Sequence, residues 1–396
     1  MDAEEARTIG WALWRVRNAR GKSLRVAAGL AGMSKDTLNR IENGQRSPTL
    51  AELRALADAL QISVWELTRL PVPAPANGHT DSTIEAVRLA LMAVNHGHPG
   101  GMALPVEALR ARVTATVDAL CRCERERETG ATLPGLIRDL HTSIAAGRDV
   151  PELLELSVWL HTQATVAWLR LAGAELDLRE QGIMLARRAA GEHGTAAPMG
   201  LVAAAGAGVA LDTGAFDLAR AGLDEVTMPT NTPQTRQLAC HLALRQSVVA
   251  AADQRPGDVD AALEYAAELA ASTGEGNAYG LAFGPTNIGQ FRITGLVEAG
   301  DHERAVSIAE SLNPEVQDRV RQAYYWVNYG RALAQLRSRH DDAVRALRRA
   351  ELISPHRIQR NPTIRAVLAM LLMHSRRGSA TDQELRDMAS RAALPV

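Results

Sequence analysis

The chain has 396 residues, of which 46% are hydrophobic, and this is enough apolar material for two or three folded domains. The charged fraction of 22% is typical of a soluble protein. The formal net charge of −1 excludes a protein that is basic throughout, so any nucleic-acid surface must be local. The three cysteines (Cys121, Cys123 and Cys240) are too few for a disulfide framework and lack zinc-ribbon spacing, which indicates free thiols.

Residues 7–46 carry that local positive charge. Between Arg7 and Arg46, nine basic residues stand against Asp36 and Glu42, a net charge of +7. The helical spacing of the apolar positions predicts five short helices over residues 9–70. No signal peptide is predicted, because the initial residues are acidic and no apolar stretch follows them. The uncharged stretch 195–211 is expected to be too short and too weakly apolar to span a membrane, so we expect a cytoplasmic protein without a membrane partner.

Residues 23–44 have the pattern of two short helices joined by a tight turn. Ala28 allows the first helix to approach the second, and Gly32 suits the turn between them. Ser34 can cap the second helix through its hydroxyl group. Leu38 and Ile41, three residues apart, are expected to face inward, which leaves the polar residues of the second helix on its outer face.

This segment resembles the lambda-repressor/Cro-type (Xre) helix-turn-helix family, including the Arg-Ile-Glu-Asn-Gly ending at 40–44 and Pro48. The resemblance implies a recognition helix at 34–43 in the major groove of double-stranded DNA, normally presented by a homodimer. It also implies an internal Arg17–Glu42 ion pair, and Trp11 and Trp14 are interpreted as packing residues. The alternative is a domain of this shape that serves only protein contacts. The DNA-binding residues predicted on this basis are Lys35, Asp36 and Asn39 for base edges, Arg25, Asn43 and Arg46 for phosphates, Arg40 for either, and Ser34 at the start of the helix.

The rest of the chain reads as helical and divides into three parts. A proline-rich linker is predicted at 71–80, a helical connecting region at 81–150 and a repeat domain at 151–396. No convincing period of two is found, so strands are not expected. The predicted fold is therefore all-α, with a helix-turn-helix domain (1–70) followed by a tetratricopeptide-like α-solenoid.

The repeat is marked by alanines at 219, 262, 305 and 343, with steps of 43, 43 and 38 residues. A glycine-aspartate turn precedes the clearest copy, at Gly300-Asp301. Alanine suits the close crossing of two helices, and stacked helical hairpins form a superhelix with a concave surface.

Half of the 14 aromatic residues lie between residues 279 and 329, which favours a binding groove there. Amide side chains on the inner face of such helices can hold a peptide backbone or a polar small molecule. The alternative interpretation is that these aromatic residues form core. His161, His241 and Arg245 are weaker candidates from earlier hairpins. The predicted ligand-binding residues are Tyr279, Phe283, Asn287, Gln290, Tyr325 and Asn328.

Nearly the whole chain resembles actinobacterial regulators that join such a DNA-binding domain to tetratricopeptide-like repeats. The segments that carry this resemblance are 133–136, 277–287, 298–301 and 324–326. The resemblance implies architecture and a regulatory role, but no ligand chemistry.

Sequence motifs of common enzymes are absent: no His-Glu-x-x-His, P-loop, Gly-x-Ser-x-Gly or dinucleotide-binding fingerprint occurs. We therefore expect no catalytic residue, cofactor or metal. Three hypotheses remain open: a transcription regulator that responds to a small molecule or peptide, a DNA-bound adaptor that recruits a protein, and a scaffold that does not bind DNA.

Overall fold

The computed structural model describes residues 9–62, 64, 67, 78–124, 126–272, 274–281, 283–375 and 380–394. Regular structure in these ranges is helical, and the only strand-like feature described is an isolated antiparallel bridge between Gly276 and Phe283. The prediction of an all-α fold is confirmed.

Four of the five helices predicted over residues 9–70 are described, and residues 63, 65, 66 and 68–70 lie outside the described residues. So do residues 71–77 of the predicted linker. The next helix begins at Gly78, so the last three positions of the predicted linker are helical; the buried Val87, Leu91 and Val94 continue its 3.6-residue spacing. The four helices are α1 (Ile9–Ala19), α2 (Leu24–Leu30), α3 (Lys35–Glu42) and α4 (Leu50–Leu60).

The middle of the chain forms seven further helices, and a π-helical turn at Leu160–Thr165 joins two of them. They are α5 (Gly78–Asn95), α6 (Val106–Cys121), α7 (Glu126–Ala145), α8 (Val150–Trp159), α9 (Val166–Ala172), α10 (Leu176–His193) and α11 (Ala196–Thr213). One hydrophobic cluster runs from Val87 to Leu185, across the boundary predicted at residue 150. The connecting region and the first repeat helices therefore share a core.

Ten described helices follow. They are α12 (Phe216–Asp224), α13 (Pro233–Ala252), α14 (Pro256–Ala271), α15 (Pro285–Ala299), α16 (His302–Ser311), α17 (Arg319–Ala334), α18 (His340–Ile353), α19 (Pro355–Gln359), α20 (Pro362–His374) and α21 (Ala380–Arg391).

The repeat domain is a stack of helical hairpins. The first helices of successive hairpins, α11, α13, α15 and α17, pack side by side, and each also packs against the helix that follows it. Gly214 and Gly300 end α11 and α15 with φ angles of 73° and 82°, a left-handed conformation that glycine adopts without strain. Of the predicted anchor alanines, Ala219, Ala305 and Ala343 are buried, whereas Ala262 is half-buried.

The end of the array returns to its beginning. Helix α19 packs against α9, and α17 packs against α6. The buried carboxylate of Glu126 accepts a hydrogen bond from the hydroxyl of Ser354 at 2.7 Å and lies 2.5 Å from Nδ1 of His356. Arg360 donates to the carbonyl oxygen of Ala172 at 2.6 Å. These contacts close the solenoid around its inner surface.

Helix α11 is the one described helix that is long and apolar enough to cross a membrane, with a mean hydropathy of 1.3 over 18 residues. The expectation that this stretch is too short and too weakly apolar to span a membrane was wrong on both length and hydropathy, because the helix extends to Thr213. The helix packs within the array, since 56% of the segment is buried and α11 lies between α10 and α13.

Candidate DNA-binding face and repeat-domain interior

The two central helices of the N-terminal domain have the predicted end structures. Ser23 and Ser34 precede α2 and α3, and their hydroxyl oxygens accept hydrogen bonds from the backbone N–H groups of Val26 (3.3 Å) and Thr37 (3.0 Å). Each such cap satisfies a backbone donor that the helix cannot satisfy itself. Gly32 makes the turn with a φ of 66°. The predicted cap at Ser34 is confirmed.

A buried ion pair joins α1 to α3, as predicted. Nε and Nη2 of Arg17 donate to the two carboxylate oxygens of Glu42 at 2.6 and 2.8 Å, and both residues are less than 10% exposed. This two-point hydrogen bond to Glu42 raises the pKa of Arg17. The predicted inward positions, Leu38 and Ile41, are each 1% exposed.

Most of the predicted DNA-binding residues are exposed. The side chains of Asn39 and Asn43 lie one turn apart, where Nδ2 of Asn43 donates to Oδ1 of Asn39 at 3.2 Å. Their role in DNA binding stays a prediction, but the face is accessible. The exposed residues are Arg25, Ser34, Lys35, Asp36, Asn39 and Asn43.

Arg40 and Arg46 are placed differently, because they lie where the N-terminal domain contacts the repeat domain. Both are half-buried and line a cavity of about 110 Å³ between the two. Arg46 pairs with Glu52 at 2.6 Å. The remaining lining residues described are Gln45, His302, Ala334, Gln335, Arg337, His340, Met370 and His374.

Burial lowers the pKa of two of the histidines that line this cavity. Burial, and then the guanidinium groups of Arg331 and Arg46, lower the pKa of His302 to about 4. Burial, with the neighbouring His374, also lowers the pKa of His340; the two rings are 5.6 Å apart. His302 is therefore neutral at pH 7.

Helix α4 and the segment before it make the contact with the repeat domain. The backbone N–H of Leu50 donates to Oε2 of Glu298 at 3.2 Å. Arg54 donates to the carbonyl oxygen of Gly214, and its guanidinium carbon lies 5.3 Å from the centre of the Phe216 ring. No sequence pattern predicted this contact, because residues 50 and 298 are far apart in the chain.

Two of the predicted ligand-binding residues are in the core. Phe283 is fully buried beside Gly276, where its ring lies so close that a Cβ would overlap it. Tyr325 is 5% exposed and donates its hydroxyl proton to the carbonyl oxygen of Ala309 at 2.8 Å. In this conformation neither side chain has a surface that a ligand could contact, as the alternative interpretation of the aromatic residues expected.

Two further predicted ligand residues, Asn287 and Tyr279, differ in burial. Asn287 is only 1% exposed. Tyr279 is half-buried, and its carbonyl oxygen accepts a hydrogen bond from Nε1 of Trp159 at 3.2 Å. Among the weaker candidates, His161 is fully buried, with its Nε2 2.9 Å from that of His141.

The predicted amides Gln290 and Asn328 take part in a polar network between α15 and α17. Nε2 of Gln290 donates to the carbonyl oxygen of Arg321 at 3.3 Å, and the hydroxyl of Thr294 donates to the carbonyl oxygen of Gln290 at 3.0 Å. Nδ2 of Asn328 donates to that hydroxyl oxygen at 2.8 Å. Nη1 of Arg331 then contacts Oδ1 of Asn328 at 3.2 Å.

This network reaches the N-terminal domain. Nη1 of Arg331 pairs with Oε1 of Glu298 at 2.8 Å, and the other oxygen of Glu298 accepts the N–H of Leu50. A continuous series of hydrogen bonds therefore runs from the backbone of Arg321 to the start of α4. We call this series the α15–α17 network.

The inner surface also carries several arginines. Of these, only Arg245 was a candidate on the basis of the sequence. Nη2 of Arg170 and Nη1 of Arg179 bind the two carboxylate oxygens of Asp212 at 2.9 and 2.7 Å. The guanidinium carbon of Arg357 lies 3.9 Å from the centre of the Tyr324 ring. No sequence signal could group these residues, since they belong to separate helices.

The cysteines show no reactive environment. All three are free thiols, and burial raises the pKa of Cys123 to about 12 and that of Cys240 to about 11. Within the described ranges, no group of three or more His, Cys, Asp or Glu side chains is arranged to hold a metal ion.

Comparison with known protein families supports the prediction that the N-terminal domain is a helix-turn-helix domain. Residues 8–70 match the family described as "Helix-turn-helix domain". No curated protein sequence matches the chain. Among solved structures, the Bacillus thuringiensis PlcR complex with the peptide PapR7 and DNA is similar at 11% identity and a TM-score of 0.29, over 88% of this chain and 94% of that one. The PrgX/iCF10 complex is similar at 9% identity and a TM-score of 0.33, over 88% and 98%.

Proposed function

We propose that this chain is a sequence-specific DNA-binding transcription regulator whose repeat domain binds a small-molecule or peptide signal and thereby changes DNA binding. The observation that carries the proposal is a helix-turn-helix domain whose capped α3 has an exposed polar face, while its other side is docked on the repeat domain. Part of the domain is thus free for DNA, and part is under the control of the repeats.

DNA reading is assigned to the first turns of α3. Lys35 and Asn39 are exposed, one turn apart, and carry the donors and acceptors that match base edges in the major groove. Their helix is held at a fixed angle by the caps and by the Arg17–Glu42 pair. A rigid reading helix lowers the entropy that binding must otherwise remove. A homodimer remains part of the proposal, since two reading helices suit a two-fold DNA site.

Control is assigned to the docked side. Arg40 and Arg46, candidates for phosphate contact, are half-buried against the repeat domain, and Arg46 is engaged by Glu52. The docked conformation therefore withholds two positive charges from DNA. The α15–α17 network ends at Leu50, within this contact, and gives the repeat domain a physical connection to it.

Replacing Lys35 and Asn39 with alanine tests the DNA-binding assignment. Each lost base contact is expected to weaken binding to the preferred site by about 1–3 kcal/mol, or about 5- to 150-fold, with little change on unrelated DNA. Fluorescence anisotropy at fixed salt would measure both affinities, with the site first selected from randomised duplexes. Arg304→Ala, an exposed change on the repeat domain, is the control. A double variant that keeps the site preference would exclude this helix as the reader.

Releasing the docked domain tests the control mechanism. Arg54→Ala removes the hydrogen bond to Gly214 and the contact with Phe216. If Arg40 and Arg46 become available to phosphates, DNA affinity should rise about fivefold or more. The salt dependence should also steepen, by about 0.9 per added phosphate contact in a plot of log affinity against log salt.

Asp58→Ala is the matched control for that change. Asp58 pairs with Arg54 at 3.1 Å within the same exposed face of α4, so its loss leaves the interdomain hydrogen bond in place. We expect this variant to bind DNA as the unmodified protein does. Equal affinity and equal salt slope for Arg54→Ala and the unmodified protein would show that docking does not restrain DNA binding.

A further inference from the structure

Five arginines from five different helices meet at the inner surface of the closed repeat domain. Arg170 and Arg179 bind Asp212 at 2.9 and 2.7 Å, and Arg357 lies 3.9 Å from the centre of the Tyr324 ring. Arg245 and Arg321 lie close enough to act electrostatically on each other, and Arg245 also acts on Tyr324 and Asp212. We call them the inner arginine cluster: Arg170 of α9, Arg179 of α10, Arg245 of α13, Arg321 of α17 and Arg357 of α19.

The cluster has more positive charge than its carboxylate balances. Asp212 pairs with Arg170 and Arg179, whereas Arg245, Arg321 and Arg357 form no ion pair with a described carboxylate. Five positive charges against one negative charge leave a formal excess of four. Arg245 donates instead to Nε2 of His241 at 3.3 Å, and Arg321 donates to the carbonyl oxygen of Gly280 at 3.3 Å.

The positive charges affect their neighbours in a consistent way. Burial alone would raise the pKa of Tyr324, but the guanidinium groups of Arg357, Arg170 and Arg245 overcome it and lower that pKa to about 7. His241 is kept neutral, because burial and then Arg245 and Arg321 lower its pKa well below the usual value. The ring of His241 also packs edge-on against Phe291 at 5.8 Å.

Solvent reaches the cluster. The side chain of Arg170 is 42% exposed, and Arg245, Arg321 and Arg357 are half-buried. Nε of Arg179 and Nε of Arg357, by contrast, are buried and form no hydrogen bond with any described residue. Guanidinium groups with free donors and few counter-charges match the oxygens of carboxylates and phosphates, which they can hold at two points.

We propose that the inner arginine cluster binds a small oxyanion with two or more negative charges, either a phosphate group or a polycarboxylate, and that this anion is the signal of the repeat domain. The proposal rests on the proposed function for its regulatory part, but the binding site stands on the cluster itself. An anion there would offset the excess positive charge that folding brings together.

The site is connected to the DNA-binding domain through Arg321. The carbonyl oxygen of this residue accepts the first hydrogen bond of the α15–α17 network, which ends at the N–H of Leu50. An anion that draws the Arg321 side chain would act on the start of α17, where that network begins. Anion binding and docking of the N-terminal domain are thereby linked.

Binding is tested first without DNA, by calorimetry with inorganic phosphate and, separately, with citrate, against sodium chloride of the same ionic strength. We expect at least one of the two anions to bind and to raise the unfolding temperature, and the better one identifies the source of the oxyanion. Arg245→Gln and Arg357→Gln should weaken binding at least tenfold, whereas the exposed control Arg304→Gln should not. Absence of binding by both anions overturns the proposal.

Stability without the anion separates a ligand-binding role from a structural one. If the arginines repel one another, Arg245→Gln should raise the unfolding temperature in chloride and abolish the added stability in phosphate or citrate. A purely structural arginine would give the opposite result, a lower unfolding temperature in chloride and an unchanged response to the anions.

Tyr324 provides an internal probe. The near-ultraviolet absorbance of its phenolate should titrate near its pKa of about 7, and Tyr324→Phe should remove that transition. The charged groups that set this titration are Arg357, Arg170 and Arg245. A bound anion screens them and should move the midpoint to higher pH. An unmoved midpoint under saturating anion would place the anion elsewhere and overturn the site.

The two levels of the proposal fail in different ways. If the anion binds but DNA affinity is the same with and without it, the site stands and the anion is not the regulatory signal. If neither anion binds while Lys35→Ala/Asn39→Ala still loses site preference, the DNA-binding function stands and the anion site is excluded.

Discussion

Arg17→Met is expected to destabilise the helix-turn-helix domain by about 3–5 kcal/mol, because it leaves the buried carboxylate of Glu42 without its counter-charge. Glu42 is 8% exposed, and both of its oxygens accept hydrogen bonds from Arg17. Arg17 also donates to the carbonyl oxygen of Lys22 at 2.8 Å, so the change removes a contact with the segment before α2 as well. Since the pair fixes α1 against α3, DNA binding should be lost with it.

Hydrogen exchange measured by mass spectrometry would localise this effect. Peptides from α1 and α3 should lose protection in Arg17→Met, while peptides from α13 to α18 should not. The double variant Arg17→Met/Glu42→Leu serves as the control, because it leaves no unpaired buried charge and is expected to be about neutral. A single variant that exchanges like the unmodified protein would mean that the pair does not stabilise the domain.

Gly130→Ala should give the second large effect, in the closed part of the solenoid. A Cβ at this position of α7 would lie 2.2 Å from ring atoms of Trp168 in α9. The indole is 2% exposed and held by a hydrogen bond from its Nε1 to the carbonyl oxygen of Glu126 at 2.8 Å, so it cannot move aside without a loss. Overpacking of this kind costs about 1–3 kcal/mol, and the short distance favours the upper end.

Gly135→Ala is the matched control in the same helix. No atom lies within 4 Å of a Cβ there, and alanine stabilises a helix interior relative to glycine by about 0.5–1 kcal/mol. The two variants should therefore shift the urea midpoint in opposite directions. Equal shifts would show that α7 and α9 are not packed as closely as the structure places them.

The helix-turn-helix domain could be read largely from the sequence because its determinants are local. The Ser34 cap acts over three residues, and the inward positions of Leu38 and Ile41 follow from the helical period. The Arg17–Glu42 pair was available only through the family resemblance. The all-α class and the hairpin turn at Gly300 likewise followed from short sequence patterns.

The candidate ligand site could not be read in the same way. The sequence grouped aromatic residues that are close in the chain, yet Phe283 and Tyr325 pack inside the hairpins. Which face of a helix meets its neighbour depends on its rotation and on the curvature of the stack, and both are set by many contacts together. A rotation by one position exchanges a core residue for a groove residue.

The sequence by itself determined the helical class, the capped helix α3 and the repeated hairpins, because each depends on residues within one or two turns of one another. Only the tertiary structure decided which residues share the interior and where the N-terminal domain docks. Arg170 and Arg357 meet because α19 returns to α9, and Leu50 meets Glu298 because α4 packs onto the array. Contacts between distant parts of a chain are fixed by the packing of whole helices, which no local pattern encodes.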